Sequence, residues 1–234
     1  MSRLAKMKGD KSKQAGTKQG KRRSYHHGDL KQALLEAGVA MVREGGGPDA
    51  VALREATRRA GVAPNAAYRH YAGRHDLMQA VRFEALAKLA RVIEKELSIV
   101  DRAVDETADP VKFGQDSLRA VGTGYIRFAV EEPGLFRAAF TVPDDLHGEA
   151  VPEKAGDSGM NPFQLLGLAL DRCMDAGLIP PEQRQGAEFL AWSAVHGISM
   201  LVIDGPLREL PPEAIHKLGQ RVIDMVEAGI AHQP

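Results

Sequence analysis

Between residues 54 and 74 the chain gathers side chains able to read base edges and hold phosphates. Asn65 offers an amide that pairs bidentately with adenine, and Arg69 a planar fork that fits guanine or a phosphate. Tyr68 shares their outward face on a short helical stretch. His70, Arg74 and Arg54 stand near enough to clamp a sugar–phosphate backbone, and helix N-termini add N–H donors for phosphates.

Such chemistry needs a helix held out at a steep angle to its neighbour. Residues 52–77, ALREATRRAGVAPNAAYRHYAGRHDL, have that organisation. Leu53, Ala56 and Ala60 form the apolar edge of one helix, and Gly61 ends it where the turn needs a positive φ. Pro64 suits the first position of the next helix, where its missing N–H costs nothing. Alanines at 56, 60 and 67 let the helices approach closely. Upstream, Leu30, Leu34, Ala37 and Met41 recur at helical spacing until Gly45, Gly46, Gly47 and Pro48 stop the run. No Lys-Ser or Lys-Thr follows those glycines, so they form a turn and not a phosphate cradle. Helical hairpins with glycine turns are common, and spacing alone leaves a purely structural reading open.

The rest of the chain predicts helices over about 75–97, 111–131, 133–140, 161–176, 183–204 and 212–230. Residues 141–160, with Pro143, Pro152 and several glycines, read as a mobile loop. No stretch alternates as a strand does, so the expected class is all-α. With 234 residues, 44% of them hydrophobic, the chain can bury a real core and hold two modest domains.

Its zero net charge conceals segregation. Residues 1–23 carry nine lysines and arginines against Asp10 alone, whereas residues 83–234 are strongly acidic. One end is suited to a polyanion and the other is not. Residues 1–23 cannot bury enough apolar surface to fold, and are expected to be a disordered basic tail that is either merely solvated or in contact with nucleic acid. The single cysteine, Cys173, excludes an internal disulfide framework and a cysteine-built zinc site. No apolar run is long enough to span a bilayer and none follows the N-terminal charges, so the expectation is a cytoplasmic protein without a membrane partner.

Residues 25–77 resemble the DNA-binding domain of the tetracycline-repressor (TetR) family. Its hallmark runs Ala-Gly-Val-Ser, then Tyr-x-His-Phe, then Lys or Arg followed by Leu. Ala60-Gly61-Val62-Ala63, Tyr68-Arg69-His70-Tyr71, Arg74 and Leu77 follow it. The resemblance implies a three-helix helix-turn-helix domain over 24–82, in which Tyr68, His70 and Arg74 contact phosphates. Pro64, Asn65 and Arg69 would face base edges, with Arg54, Ala63 and Tyr71 completing the DNA-contacting set. Three residues depart from the pattern. Ala63 and Ala52 stand where Ser or Thr is usual, removing N-cap hydroxyls worth about 0.5–2 kcal/mol, and Thr57 replaces a small alanine.

Residues 83–234 are then expected to form a helical ligand-binding and dimerisation domain. The string AWSAVHGI places Trp192 and His196 four apart on one helical face, and resembles the WHG C-terminal domain of a subset of TetR-like regulators. GYIRFAVEEPGLFRAAF at 124–140 and YHHGDL at 25–30 are similar to that subset too. Tyr125, Phe128, Phe136, Phe140, Trp192 and His196 have the apolar and polar mixture that lines a ligand pocket. Aromatics at helical spacing serve equally as ordinary core, and a buried His196 needs only a hydrogen-bond partner. Phe189, Leu190, Ala194 and Ile198, with Ile215, Leu218, Val222 and Val226, make two apolar stripes suited to a homodimer interface or to burial within the subunit.

The resemblance implies a homodimer on a palindromic double-stranded DNA operator, a repressor released by a small and largely apolar effector. No motif asks for a metal or cofactor. The competing readings are a helical protein–protein interaction module and an enzyme using His196 with Asp204 or Glu188. The latter lacks a nucleophile elbow, an HExxH pair and any Cys–His spacing.

Overall fold

The computed structural model describes residues 27–140 and 151–231. The expected basic tail and half of the expected mobile loop lie outside them. Among the described residues there are ten α-helices and no strand.

The N-terminal unit is α1 (His27–Gly45), a single 3-10 turn (Pro48–Ala50), α2 (Leu53–Arg59) and α3 (Pro64–Ala67). Leu34, Ala56 and Ala67 are fully buried between them, as the spacing predicts, and Val42 joins them. Gly61 adopts φ +68°, the left-handed conformation that turns α2 into α3. Ala52 and Ala63 occupy the N-cap positions of α2 and α3, and neither helix has a side-chain cap. Thr57 is buried, its hydroxyl satisfied by donating to the Arg54 carbonyl at 2.7 Å.

α4 (Arg74–Ala103) runs on through residue 82, so one rigid helix joins the N-terminal unit to the body. Leu77, Val81, Leu89 and Ile93 make its buried stripe. It extends six residues past the expected end at Leu97, because no glycine or proline interrupts the chain until Pro110.

The body follows as α5 (Pro110–Glu131), α6 (Pro133–Ala139), α7 (Pro162–Asp175), α8 (Pro181–Arg184), α9 (Ala187–Ile203) and α10 (Pro212–Ala231). All but α9 open on proline, whose fixed φ suits the first helical position. α5 is the central helix and packs on α4, α6, α7, α9 and α10. Asp109 caps α5, and Asn161 with Gln164 forms a capping box on α7. The helix expected over 183–204 is two helices, divided at Gly186 with φ +80°. Residues 151–160 are ordered by contacts with α4. Pro152–Lys154 form a 3-10 turn against it, and the Glu94 carboxylate accepts from the N–H groups of Asp157 and Ser158 at 2.9 Å and from the Ser158 hydroxyl.

Candidate functional site

Two sites emerge, one at the start of α4 and one along its middle. At the first, Ala63, Pro64, Asn65, Tyr68 and Arg69 are exposed in one short segment, with Tyr68 58% exposed despite its ring. Arg54 is exposed on α2. Neither Arg54 nor Arg69 forms an ion pair among the described residues. Their neighbours Arg58 and Arg59 do: Glu55 accepts from both, and Glu44 from Arg59. Hydrogen bonds from Arg58 and then Arg59 hold the Glu55 carboxyl down at about 2. Glu44 and Glu55 therefore sit against arginines outside the expected contact set and leave Arg54 and Arg69 inside it without an ion pair among the described residues, whereas Arg74 lies 3.5 Å from Asp49.

Tyr71 and Arg74 depart from expectation. Tyr71, placed in the DNA-contacting set by its motif position, is a core residue at 3% exposure whose hydroxyl donates to the Lys31 carbonyl at 3.3 Å. Arg74 donates from Nε to the Val51 carbonyl at 2.8 Å and from Nη2 to that of Pro48 at 3.1 Å, which pins the 3-10 turn to the start of α4. His70 is half-buried.

The second site is a cavity of about 570 Å³ inside the body, walled by α4, α5, α6, α7, α9 and α10. Tyr125, Phe140, Trp192 and His196 line it as expected. Phe128 and Phe136 do not, being core residues behind the wall. The periodicity that finds an inward face cannot separate the layer touching a cavity from the layer beneath. His196 finds its partner in a side chain, not in the backbone: its Nδ1 lies 2.8 Å from the Tyr125 hydroxyl, which also accepts from Trp192 Nε1 at 2.9 Å. Phe136 stacks on the imidazole at a 24° interplanar angle, and Phe140 meets it edge-on. Burial drives the Tyr125 hydroxyl well above its usual range and pulls the His196 imidazole below its own.

The cavity has two charged lining residues that sequence reasoning missed. Arg82, 3% exposed, donates from Nε to the Ala139 carbonyl at 3.1 Å, and the buried Lys154 ammonium sits 5.1 Å from the centre of the Phe83 ring. Both types are read as surface residues from sequence, and Arg82 falls at the expected domain boundary. The carboxylates considered as partners for His196 have other partners: Asp204 pairs with Arg137, and Glu188 with Arg184.

α6 runs from the cavity to the α1 and 3-10 turn support of the first site. Its Phe140 end borders the cavity, and its N-terminal end lies against α1. Arg137 donates to the Gly46 carbonyl at the end of α1 at 2.7 Å while holding Asp204 at the end of α9. Arg43 of α1 pairs with Glu132 just before α6. The dimer stripes are partly reassigned: Ile198 and Ile215 face the core, while Phe189 and Leu190 are exposed. No described helix is long and apolar enough to cross a membrane.

Residues 118–226 match the family model for a tetracyclin repressor-like C-terminal domain. No curated protein matches the chain. A solved protein of unknown function from Rhodococcus sp. RHA1 is 23% identical, with 90% of this chain and 100% of that one covered at a TM-score of 0.67. A TetR transcriptional regulator from Streptomyces coelicolor is 19% identical, covering 87% and 99% at 0.56. A TetR family regulator from Marinobacter aquaeolei is 21% identical, covering 87% and 96% at 0.53. The chain has the all-helical TetR-like fold, and its residues 118–226 form a tetracyclin repressor-like C-terminal domain.

Proposed function

We propose that this protein is a transcriptional regulator that binds a palindromic operator as a homodimer and is released from it, as a repressor would be, by a small and largely apolar effector. The observation that carries the reading is the pairing of an exposed, charge-uncompensated helix-turn-helix face with a separate cavity, linked through α6. The DNA face comprises Arg54, Ala63, Pro64, Asn65, Tyr68 and Arg69, with His70 and the unused nitrogen of Arg74 at its edge. Residues 1–23 add phosphate contacts and steepen the salt dependence. The body is of the WHG type, a reading supported by the convergence of Trp192 and His196 on Tyr125.

An effector can shift the DNA-bound arrangement only by binding one arrangement better than another. α6 borders the cavity and packs on α1 and the 3-10 turn that support the DNA face, so a ligand that moves Phe140 moves the Arg137 contact with α1. Selection of fragments from a random DNA pool tests the class, and a palindromic motif is the expected result. Arg69→Ala should weaken operator binding by about 1–3 kcal/mol at each half-site, read by gel shift at fixed salt. Arg58→Ala, which breaks only an exposed ion pair, should change it little. Equal affinity for both variants and the wild type would overturn the assignment.

A further inference from the structure

Every polar atom of the Trp192–Tyr125–His196 cluster can be assigned a role. The Trp192 indole is a donor only, so the Tyr125 oxygen accepts from it at 2.9 Å. The Tyr125 hydroxyl then has one proton and one acceptor within reach among the described residues, His196 Nδ1 at 2.8 Å. Were Nδ1 protonated instead, the buried Tyr125 hydroxyl proton would be left without an acceptor, at the cost of an unsatisfied buried donor. The arrangement that satisfies all three groups runs from Trp192 to Tyr125 to His196, with Nδ1 accepting. A neutral imidazole whose Nδ1 accepts carries its proton on Nε2. His196 lines the cavity, and Nε2 makes no hydrogen bond within the described residues, yet protein atoms do not enclose it. Phe136 stacked on the ring and Phe140 edge-on to it fix the plane of the imidazole, and the Tyr125 hydrogen bond selects the flip that presents Nδ1 to it.

We propose that His196 is the effector's polar anchor, presenting a fixed Nε2–H donor to an uncharged ligand bearing an acceptor oxygen, a carbonyl or an ether, on an otherwise apolar body. Tyr125 and Trp192 are positioning residues that fix the imidazole tautomer. This rests on reading the cavity as an effector site. A neutral donor among rings favours a neutral acceptor, because a carboxylate would lose its hydration without gaining a counter-charge at this position. The depressed imidazole basicity, caused by burial, agrees with an uncharged ring. The two buried cations are engaged elsewhere, Arg82 with the Ala139 carbonyl and Lys154 over the Phe83 ring.

The test uses no DNA, so it can fail while operator binding stands, and the reverse. Trp192 is the only tryptophan, and its indole N–H gives a single reporter resonance at the site. Histidine-labelled full-length protein should show His196 as the neutral Nε2–H tautomer by two-bond proton–nitrogen spectra, and an Nδ1–H tautomer would overturn the proposal. Three probes share one skeleton: benzophenone has the acceptor, diphenylmethane lacks it, and diphenylacetate carries a charge. Benzophenone should bind on the order of fivefold more tightly than diphenylmethane, with diphenylacetate weakest. His196→Phe should erase that preference while diphenylmethane still binds, and Tyr125→Phe should reduce it. Equal binding of benzophenone and diphenylmethane, a preference that survives His196→Phe, diphenylacetate binding tightest, or no perturbation of the Trp192 resonance by any probe would each overturn it.

Discussion

Arg58 and Arg59 are held by Glu55 and Glu44, whereas Arg54 and Arg69 have no ion pair among the described residues. A polyanion meeting this face need not break an existing pair to engage them. That distinction is invisible in the string REATRR at 54–59, where all arginines look alike; it emerges only when the fold decides which carboxylates share their side. The residue types in the recognition segment were legible from sequence, and so were the missing caps. Ala52 has extended backbone angles of φ −138° and ψ 125°, which is N-cap geometry without an N-cap side chain. Ala52→Ser should therefore stabilise the protein by about 1 kcal/mol, seen as a higher denaturant midpoint at unchanged slope. An unchanged or lower midpoint would mean that the α2 N–H groups are already satisfied by other partners. Tyr71 was misplaced because its motif position marks a place in the sequence and not a direction. Its ring turns inward to close the core beneath α3.

Among the elements, α6 carries the coupling argument, and its closeness to α1 is set by one glycine. A methyl group on Gly134 would lie 2.5 Å from the Val42 carbonyl oxygen, a backbone atom that cannot rotate away. Gly134→Ala should cost about 1–3 kcal/mol in stability through forced separation of α6 from α1. It should also weaken the effector's influence on operator binding more than it weakens effector binding itself. Equal losses in both would argue against α6 as the link. The 156–158 segment beside the cavity offers a pH test. Burial raises the Glu94 carboxyl, but hydrogen bonds from Ser158 and Asp157 outweigh it and hold the group below its usual range. A depressed carboxylate gives its stabilisation in full at neutral pH and loses it as pH falls through the folded value. The Ser158 amide resonance should titrate with a midpoint below the ordinary glutamate range, while Glu94→Gln should show the shifted position at pH 7. Helix starts were readable at these elements because proline marks them so consistently. The division of α8 from α9 was also written in the sequence, at Gly186, but helix-favouring Glu182, Gln183, Arg184 and Gln185 before it masked the break.

For the whole molecule, the subunit leaves apolar surface where a second copy would fit. On α9 the exposed residues Leu190, Ser193, Gly197, Met200 and Leu201 follow helical spacing. On α10 Leu218, Val222, Met225 and Gly229 form a partly exposed row. Gly197 and Gly229 have open space above them, so a partner helix can approach closely at both. This is a different face from the one containing Ile198 and Ile215, which the monomer has already buried. Sequence periodicity finds both faces of such a helix but cannot say which one the subunit keeps for itself. In the proposed homodimer a two-fold axis through these helices would pair each stripe with its own copy, an isologous contact. It would also set two recognition helices about one turn of duplex apart, roughly 34–36 Å. Leu201→Glu puts a charge on the stripe without touching the cavity lining or the DNA face. Sedimentation should then find single subunits with unchanged helical content, and the variant should still bind the cavity probes. Operator affinity should fall steeply, because two half-sites would be engaged independently and the advantage of linkage lost. A variant that stayed dimeric would place the interface elsewhere. One that became monomeric yet bound the operator as tightly as before would show that the reading of the sequence needs only one recognition helix.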